Sequence, residues 1–170
     1  MQPIIPGNHT DQLIRQTRQH HVQLSVMADI KANMLLTIAS VTLSLTLPQL
    51  SREAYHDAAE TLLIFCLFTI ILAAYVAMPK SGIFRRRKLE EPANLLFFGH
   101  FVDLPYEEYQ ARMMDMLANP DRVYEAQIRE IYQLGQFLAR KKFRILRLAY
   151  ITFIVGLVAS GIVLVFSRSP

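Results

Sequence analysis

The sequence is poor in charge and almost lacks cysteine. Among its 170 residues there is one cysteine, Cys66, and there is no tryptophan. A single cysteine excludes a secreted scaffold stapled by disulfides, which needs cysteines in pairs. Charged residues make up only 19% of the chain and hydrophobic residues 52%. That balance is too apolar for an intrinsically disordered protein.

Charge is missing above all from three long segments. No Asp, Glu, Lys or Arg occurs in residues 32–51, 61–79 and 148–167. A helix needs roughly 20 residues to cross about 30 Å of hydrocarbon. We therefore expect three transmembrane helices, at 34–50, 61–79 and 144–167. The polar stretch before the first of them favours a retained membrane helix over a signal peptide.

Signatures of catalysis are also missing. The sequence contains no phosphate-binding GxxxxGK[ST] loop, no GxGxxG, no HExxH and no CxxC. His20 and His21 are adjacent, so they point to different faces of a helix and do not chelate one metal ion together. His56 and Asp57 stand without the further ligands of a metal-dependent phosphohydrolase. We expect a protein that is not an enzyme, with no catalytic residues, no metal and no cofactor.

The basic residues are distributed in a way that predicts the membrane topology. Of 18 Lys and Arg residues, only Arg52 and Arg168 lie outside residues 1–33 and 80–147. Positive residues stay on the cytoplasmic side of a membrane. This places the N-terminal segment 1–33 and the region 80–143 inside, and the loop 51–60 and the tail 168–170 outside. The net charge of +4 therefore indicates topology rather than nucleic-acid binding.

The predicted fold is an all-α membrane protein with three transmembrane helices and a small, mostly helical cytoplasmic part. No proline interrupts the chain between Pro6 and Pro48, or after Pro120 until Pro170. Long helices are therefore expected to continue from the cytoplasm into the membrane. Asp103 is expected to cap one cytoplasmic helix, and Asn119, Pro120 and Asp121 are expected to start the next.

Small and hydroxylated residues recur at helical spacing in the first and last crossings. Such residues let membrane helices approach closely and hydrogen-bond to each other. We interpret them as a gating or self-association face; the alternative is that the hydroxyls bond to carbonyls of their own helix. The charged pair at the mouth of the first crossing is interpreted as a gate or inter-helix contact. The residues in these two groups are Thr37, Ser40, Ser44, Gly156 and Ser160, and Asp29 and Lys31.

A coiled-coil-like seam is also visible in the cytoplasmic region. Its apolar positions follow alternating steps of four and three: Tyr124, Ile128, Ile131, Gly135 and Leu138. The sequence leaves two functions open. One is a sensor whose rigid helices pass a change from a cytoplasmic site to the bilayer. The other is a non-catalytic scaffold or adaptor that recruits a partner through this seam.

Three stretches resemble one known family. They are ADIKA at 28–32 leading into Leu35 and Leu36, NLLFFGHF at 94–101, and residues 127–142 ahead of the last crossing. In this order around three crossings they are similar to the PycTM family, the transmembrane effectors of Pycsar anti-phage systems. The resemblance covers about residues 11–166.

The resemblance implies a function. A neighbouring cyclase would make cyclic CMP or cyclic UMP during infection, and the effector would bind that messenger. It would then impair the bacterial inner membrane, as a homo-oligomer, and cause abortive infection.

The messenger also suggests which residues would bind it. Its phosphate would need a cation, its base an aromatic face, and its base edges and ribose hydrogen-bonding groups. The candidates in that order are Arg86 and Lys142; Phe97, Phe98 and Tyr132; and Asn94, His100 and Gln127.

Overall fold

The computed structural model describes residues 7–78 and 94–167, and in these ranges the chain is almost entirely helical, interrupted by short turns, with no strand. This confirms the predicted all-α fold. The helices, joined by two short 3-10 turns and one π-turn, are α1 (Asn8–Thr46), α2 (His56–Ala77), α3 (Phe98–Phe101), α4 (Tyr106–Leu117), α5 (Pro120–Phe137) and α6 (Phe143–Phe166). The 3-10 turns cover Leu47–Ser51 and Glu53–Tyr55, and the π-turn covers Leu138–Lys142.

The chain divides into two compact units. Unit 1 comprises Met1–Leu24 and Pro79–Leu138, and unit 2 comprises Ser25–Met78 and Ala139–Pro170. Helix α1 contributes residues to both. The predicted continuous helix after Pro120 is also present, since residues 120–166 are helical without a break in the chain, but its middle is the π-turn rather than a regular α-helix.

Unit 2 is an apolar three-helix assembly of α2, α6 and the later part of α1. Its buried cluster consists of Ala28, Ala32, Val76 and Leu146. The two alanines carry short side chains, so α1 approaches its neighbours closely at this level. Many large apolar side chains of these helices remain exposed, as expected of helices whose solvent is hydrocarbon.

The small residues of the last crossing pack inside unit 2. A Cβ added to Gly156 would lie 2.3 Å from the Cβ of Phe65 on α2. The Ser160 hydroxyl donates a 2.8 Å hydrogen bond to the carbonyl of Ala58, also on α2. Gly156 and Ser160 thus join α6 to α2 of the same chain, where we had expected a gating or self-association face.

Unit 1 contains α3, α4, α5 and the first part of α1. Helix α5 starts at Pro120 as predicted, and Asn119 caps it, because its side chain accepts a hydrogen bond from the N–H of Asp121 at 3.0 Å. The prediction that Asp103 caps α4 was wrong, since that helix begins at Tyr106, directly after Pro105. Asp103 lies too far upstream to cap it.

Candidate functional site

A cleft of about 430 Å³ opens in unit 1. Small-molecule sites in proteins typically occupy about 300–1,000 Å³, so the cleft has the size of a small-ligand site. Its walls come from α1, from the turn before α3, and from α5. The lining residues are Asp11, Ile14, Arg15, Arg18, Leu96, Gln127, Glu130 and Ile131.

Helical spacing explains why these residues meet. On α1 the lining positions follow one another at steps of three, one and three, and on α5 at steps of three and one. Residues three or four apart share one face of a helix. Each helix thus presents one mixed face, with Ile14 and Ile131 as its apolar members and charged or amide side chains beside them.

Asp11, which lines the cleft at the start of α1, is held by a hydrogen bond from α5. The buried Tyr124 hydroxyl donates to Oδ1 of Asp11 at 2.5 Å. This hydrogen bond raises the pKa of Tyr124 above its usual 10.0, and desolvation and the negative charge of Asp11 act in the same direction. Tyr124 precedes the uncharged segment 148–167 by more than 20 residues, so it lies outside the expected crossing.

The two cations of the cleft differ in their partners. Arg18 forms an ion pair with Glu130, with 3.1 Å between Nη2 and Oε1. Arg15 has no ion-pair or hydrogen-bond partner among residues 7–78 and 94–167. Counted over the described residues, the cleft therefore offers one uncommitted guanidinium, a side-chain amide from Gln127 and two carboxylates that accept hydrogen bonds.

Two of the ligand residues expected from the sequence belong to this part of unit 1. Gln127 lines the cleft directly. Asn94 is buried, donates from Nδ2 to Oε1 of Gln133 at 2.9 Å, and accepts from the N–H of Leu96 at 3.0 Å. Asn94 thereby holds the turn that brings Leu96 into the cleft wall.

Other expected ligand residues do not line the cleft. Phe97 and His100 form an edge-to-face pair with ring centroids 5.4 Å apart, and Tyr132 is largely exposed. Lys142 belongs to unit 2. Arg86 lies outside the described residues, and Phe98 begins α3 with a side chain that also lies outside them.

The candidate gating residue Asp29 forms an ion pair with Lys142, whose side chain is buried. Nζ of Lys142 donates to Oδ2 of Asp29 and to the hydroxyl of Ser25, both at 2.7 Å. Asp29 therefore pairs with the last residue of the π-turn, directly before α6, while the backbone carbonyl of Lys31 accepts a 3.3 Å hydrogen bond from the Tyr150 hydroxyl of α6. The charged residues at the mouth of the first crossing thus contact α6 and the π-turn before it.

The hydroxyls of the first crossing bond mainly to their own helix. Thr37 donates to the carbonyl of Asn33 at 3.0 Å, and Ser44 donates to the carbonyl of Ser40 at 3.0 Å. This agrees with the alternative interpretation given above, in which each hydroxyl donates to the carbonyl four residues earlier in its own helix.

Sequence reasoning missed most of the cleft. Asp11, Arg15, Arg18 and Glu130 were not among the expected ligand residues, although their helical spacing was visible in the sequence. What the sequence did not show is which helix faces which, and this decides whether two charged faces form a cleft or stay in solvent.

The fold and the charged cleft together define the class of protein. Within residues 7–78 and 94–167, three helical runs are long and apolar enough to cross a membrane: Asn8–Ser51, Glu53–Ala77 and Pro120–Phe166. Together they define a multi-pass α-helical membrane protein, which here carries a separate helical unit with a ligand-sized cleft.

The family follows from comparison with known proteins. Residues 12–167 match PycTM, described as the Pycsar effector protein domain, so the chain belongs to this family and is a Pycsar effector of anti-phage defence. This confirms the resemblance seen in the sequence. No curated protein and no solved structure matches the chain.

Proposed function

We propose that this effector is activated by a cyclic pyrimidine mononucleotide bound in the cleft of unit 1. On activation it impairs the integrity of the bacterial inner membrane and so causes abortive infection. The observation that carries the proposal is that Arg15, in a cleft of about 430 Å³, has no ion-pair or hydrogen-bond partner within the part of the chain that the structure describes. A guanidinium is the side chain best suited to bind a phosphate.

The rest of the cleft suits a nucleotide with a single charge. Ile14, Leu96 and Ile131 supply apolar surface for a flat base. Gln127, Asp11 and Glu130 offer acceptors for the N–H groups of cytosine or uracil and for the ribose hydroxyl. The two carboxylates also repel additional phosphates, which favours a cyclic monophosphate over a nucleoside triphosphate.

Membrane action is supported by the helices that carry the cleft. Helix α1 bears Asp11, Ile14, Arg15 and Arg18, and it also contains the first uncharged segment. The helical run that bears Gln127 and Glu130 continues into the last uncharged segment. A ligand held between these side chains therefore acts on helices that themselves reach membrane-crossing segments.

The same proposal sets the orientation. Basic residues are concentrated in the segments 1–33 and 80–147, which favours a cytoplasmic N-terminus and a cytoplasmic cleft. The product of a cytoplasmic cyclase then reaches the cleft without crossing the membrane.

Calorimetric titration of the full-length chain in lipid nanodiscs tests the binding step. Cyclic CMP and cyclic UMP are titrated separately, with cyclic AMP for comparison. We expect Arg15→Gln to weaken binding by about tenfold or more, because a hydrogen bond to a charged group is lost. The matched control is Arg122→Gln, since Arg122 pairs with Asp115 at the surface and does not line the cleft.

Dye release from liposomes containing the full-length chain tests the membrane step. We expect release when the bound nucleotide is added and much less release with Arg15→Gln. Equal affinity of the Arg15→Gln and Arg122→Gln variants would contradict the assignment of the cleft. Binding without dye release would contradict the membrane step.

The scaffold alternative finds less support in unit 1. Tyr124 and Leu138 of the predicted seam are buried within the chain, and Ile128, with 51% of its surface exposed, is its most accessible member. A partner docked along the whole seam would require these buried side chains to turn outward.

A further inference from the structure

A lysine is buried in unit 2 just before the last crossing. Only 8% of the Lys142 side chain is exposed, and its Nζ lies 2.7 Å from both Oδ2 of Asp29 and the Ser25 hydroxyl. Ser25 and Asp29 are four residues apart on α1, so they form one turn of helix facing α6. The lysine therefore ties α6 to a single turn of α1.

Lys142 differs from the other cations around it. Arg140, Lys141 and Arg144 are exposed, whereas Lys142 is turned inward. Leu138, Lys142 and Leu146 are buried at steps of four, and Lys142 is the last residue of the π-turn. A π-turn takes more residues per turn than an α-helix and recurs at functional sites.

The surroundings of the pair favour a role other than stability. In this pair only Lys142 is buried, and the desolvation of its charge offsets much of the attraction to Asp29, so the pair contributes little net stability. The pair adjoins an apolar cluster that includes Ala28 on α1 and Leu146 on α6. Small side chains give α1 little to interlock with, so the ion pair fixes the register of α1 against α6.

The charges of Asp29 and Lys142 can also be solvated when the pair separates. The Asp29 side chain is 40% exposed, so water can solvate its carboxylate as soon as the lysine leaves. Lysine has a long flexible stem, which lets the ammonium swing out to the exposed surface that carries Arg140 and Arg144. Both charges are thus accommodated in a paired and in a separated arrangement.

We infer that Ser25, Asp29 and Lys142 form a latch that holds α1 against α6 in the silent state of the effector. When the latch opens, α1 and α6 are free to shift within the membrane. The inference rests on the proposed function in one respect only, which is that membrane damage is the output.

The latch is tested by removing its charges in the absence of any messenger. The full-length chain is produced in cells without the cyclase and then reconstituted in liposomes without nucleotide. We expect Lys142→Met and Asp29→Asn each to raise dye uptake by cells and dye release from liposomes by about tenfold, since each leaves the other charge unpaired. Lys141→Met, which removes the adjacent exposed lysine, is the matched control and should behave as the wild type.

A charge exchange separates the latch from general damage to the fold. The double variant with Asp29→Lys and Lys142→Asp restores an ion pair and should be quieter than either Asp29→Lys or Lys142→Asp alone. If a single variant fails to accumulate in the membrane, Ser25→Ala tests the latch instead. It removes one of the two acceptors of the Lys142 Nζ, so its liposomes should release dye to a smaller degree.

Tight liposomes for Lys142→Met, Asp29→Asn and Ser25→Ala would overturn the latch. Failure of the wild type to bind either cyclic nucleotide would instead overturn the proposed function. Because the latch is read out without nucleotide, the two failures are distinguishable.

Discussion

The two units are held together by different kinds of contact. Unit 1 is held by contacts between polar side chains, such as Tyr124 with Asp11 and Arg18 with Glu130. Unit 2 is held by close packing of small and apolar residues around Ala28 and Ala32, with the Asp29–Lys142 pair at its edge. The polar pairs of unit 1 suit a surface that water can reach, whereas the helices of unit 2 depend on close packing against each other. Water drives apolar burial and solvates charges, whereas hydrocarbon leaves packing as the main attraction between helices.

Gly156→Ala should give the largest effect. The new Cβ would lie 2.3 Å from the Cβ of Phe65, an atom that cannot move without moving α2. We expect a loss of about 1–3 kcal/mol, the usual cost of overpacking, measured as thermal unfolding in detergent micelles. Gly161→Ala is the control, because nothing lies within 4 Å of the added Cβ. Equal stability of the two variants would mean that α6 does not pack on α2 at this point.

Tyr124→Phe tests the polar side of the comparison. The variant loses the hydrogen bond to Asp11, so unit 1 should unfold at a lower temperature while unit 2 is unaffected. Hydrogen exchange resolves the two units. Phe137→Leu, elsewhere on α5, provides a control for a conservative change in the same helix. Uniform loss of protection in both units would contradict their independence.

The same tyrosine gives unit 1 a pH dependence. Its pKa is raised above 10.0 in the folded chain. The stabilisation from the protonated hydroxyl is thus fully present below pH 10 and is lost as the pH rises through the folded pKa. We expect unit 1 of the wild type to lose stability above pH 10 and the Tyr124→Phe variant to lose less. Parallel profiles for the two proteins would contradict the hydrogen bond to Asp11.

Ser160→Ala should have a smaller effect. It removes the 2.8 Å hydrogen bond to the carbonyl of Ala58 on another helix, and such bonds in membranes contribute about 0.6 kcal/mol on average. Ser44→Ala is the matched control, because Ser44 bonds to Ser40 of its own helix. If Ser44→Ala proves the more damaging in micelles, the hydroxyls of the first crossing have an inter-helix role after all.

Gly135→Ala should have the smallest effect. The added Cβ would lie 3.3 Å from Cε1 of His21, the tip of a side chain that can turn slightly. The gain in helix propensity, about 1 kcal/mol, should roughly offset that movement. Thermal unfolding should therefore show almost no change, in contrast to Gly156→Ala. A large loss would show that His21 is as immovable as Phe65.

The sequence predicted the frame of this protein well. Each of the three uncharged segments overlaps one of the three helical runs able to cross a membrane that the described residues form, and the resemblance at 28–32, 94–101 and 127–142 led to the correct family. Both follow from local information, because hydropathy adds up along a segment and a motif is read in order.

The candidate site was predicted less well. Gln127 lines the cleft and Asn94 supports its wall, but Arg15 and Arg18 were not expected there. Their role depends on α5 lying beside α1, and nothing within either segment specifies that pairing.

The sequence by itself determined that this chain is helical and belongs in a membrane, because the transfer of an uncharged 20-residue helix into hydrocarbon depends on composition alone. Only the tertiary structure decided which charges are paired. Asp11 meets Tyr124, and Asp29 meets Lys142, each across 113 residues of sequence. Such pairs are fixed by the packing of whole helices, since a charge is buried only where the fold brings its partner within a few ångströms.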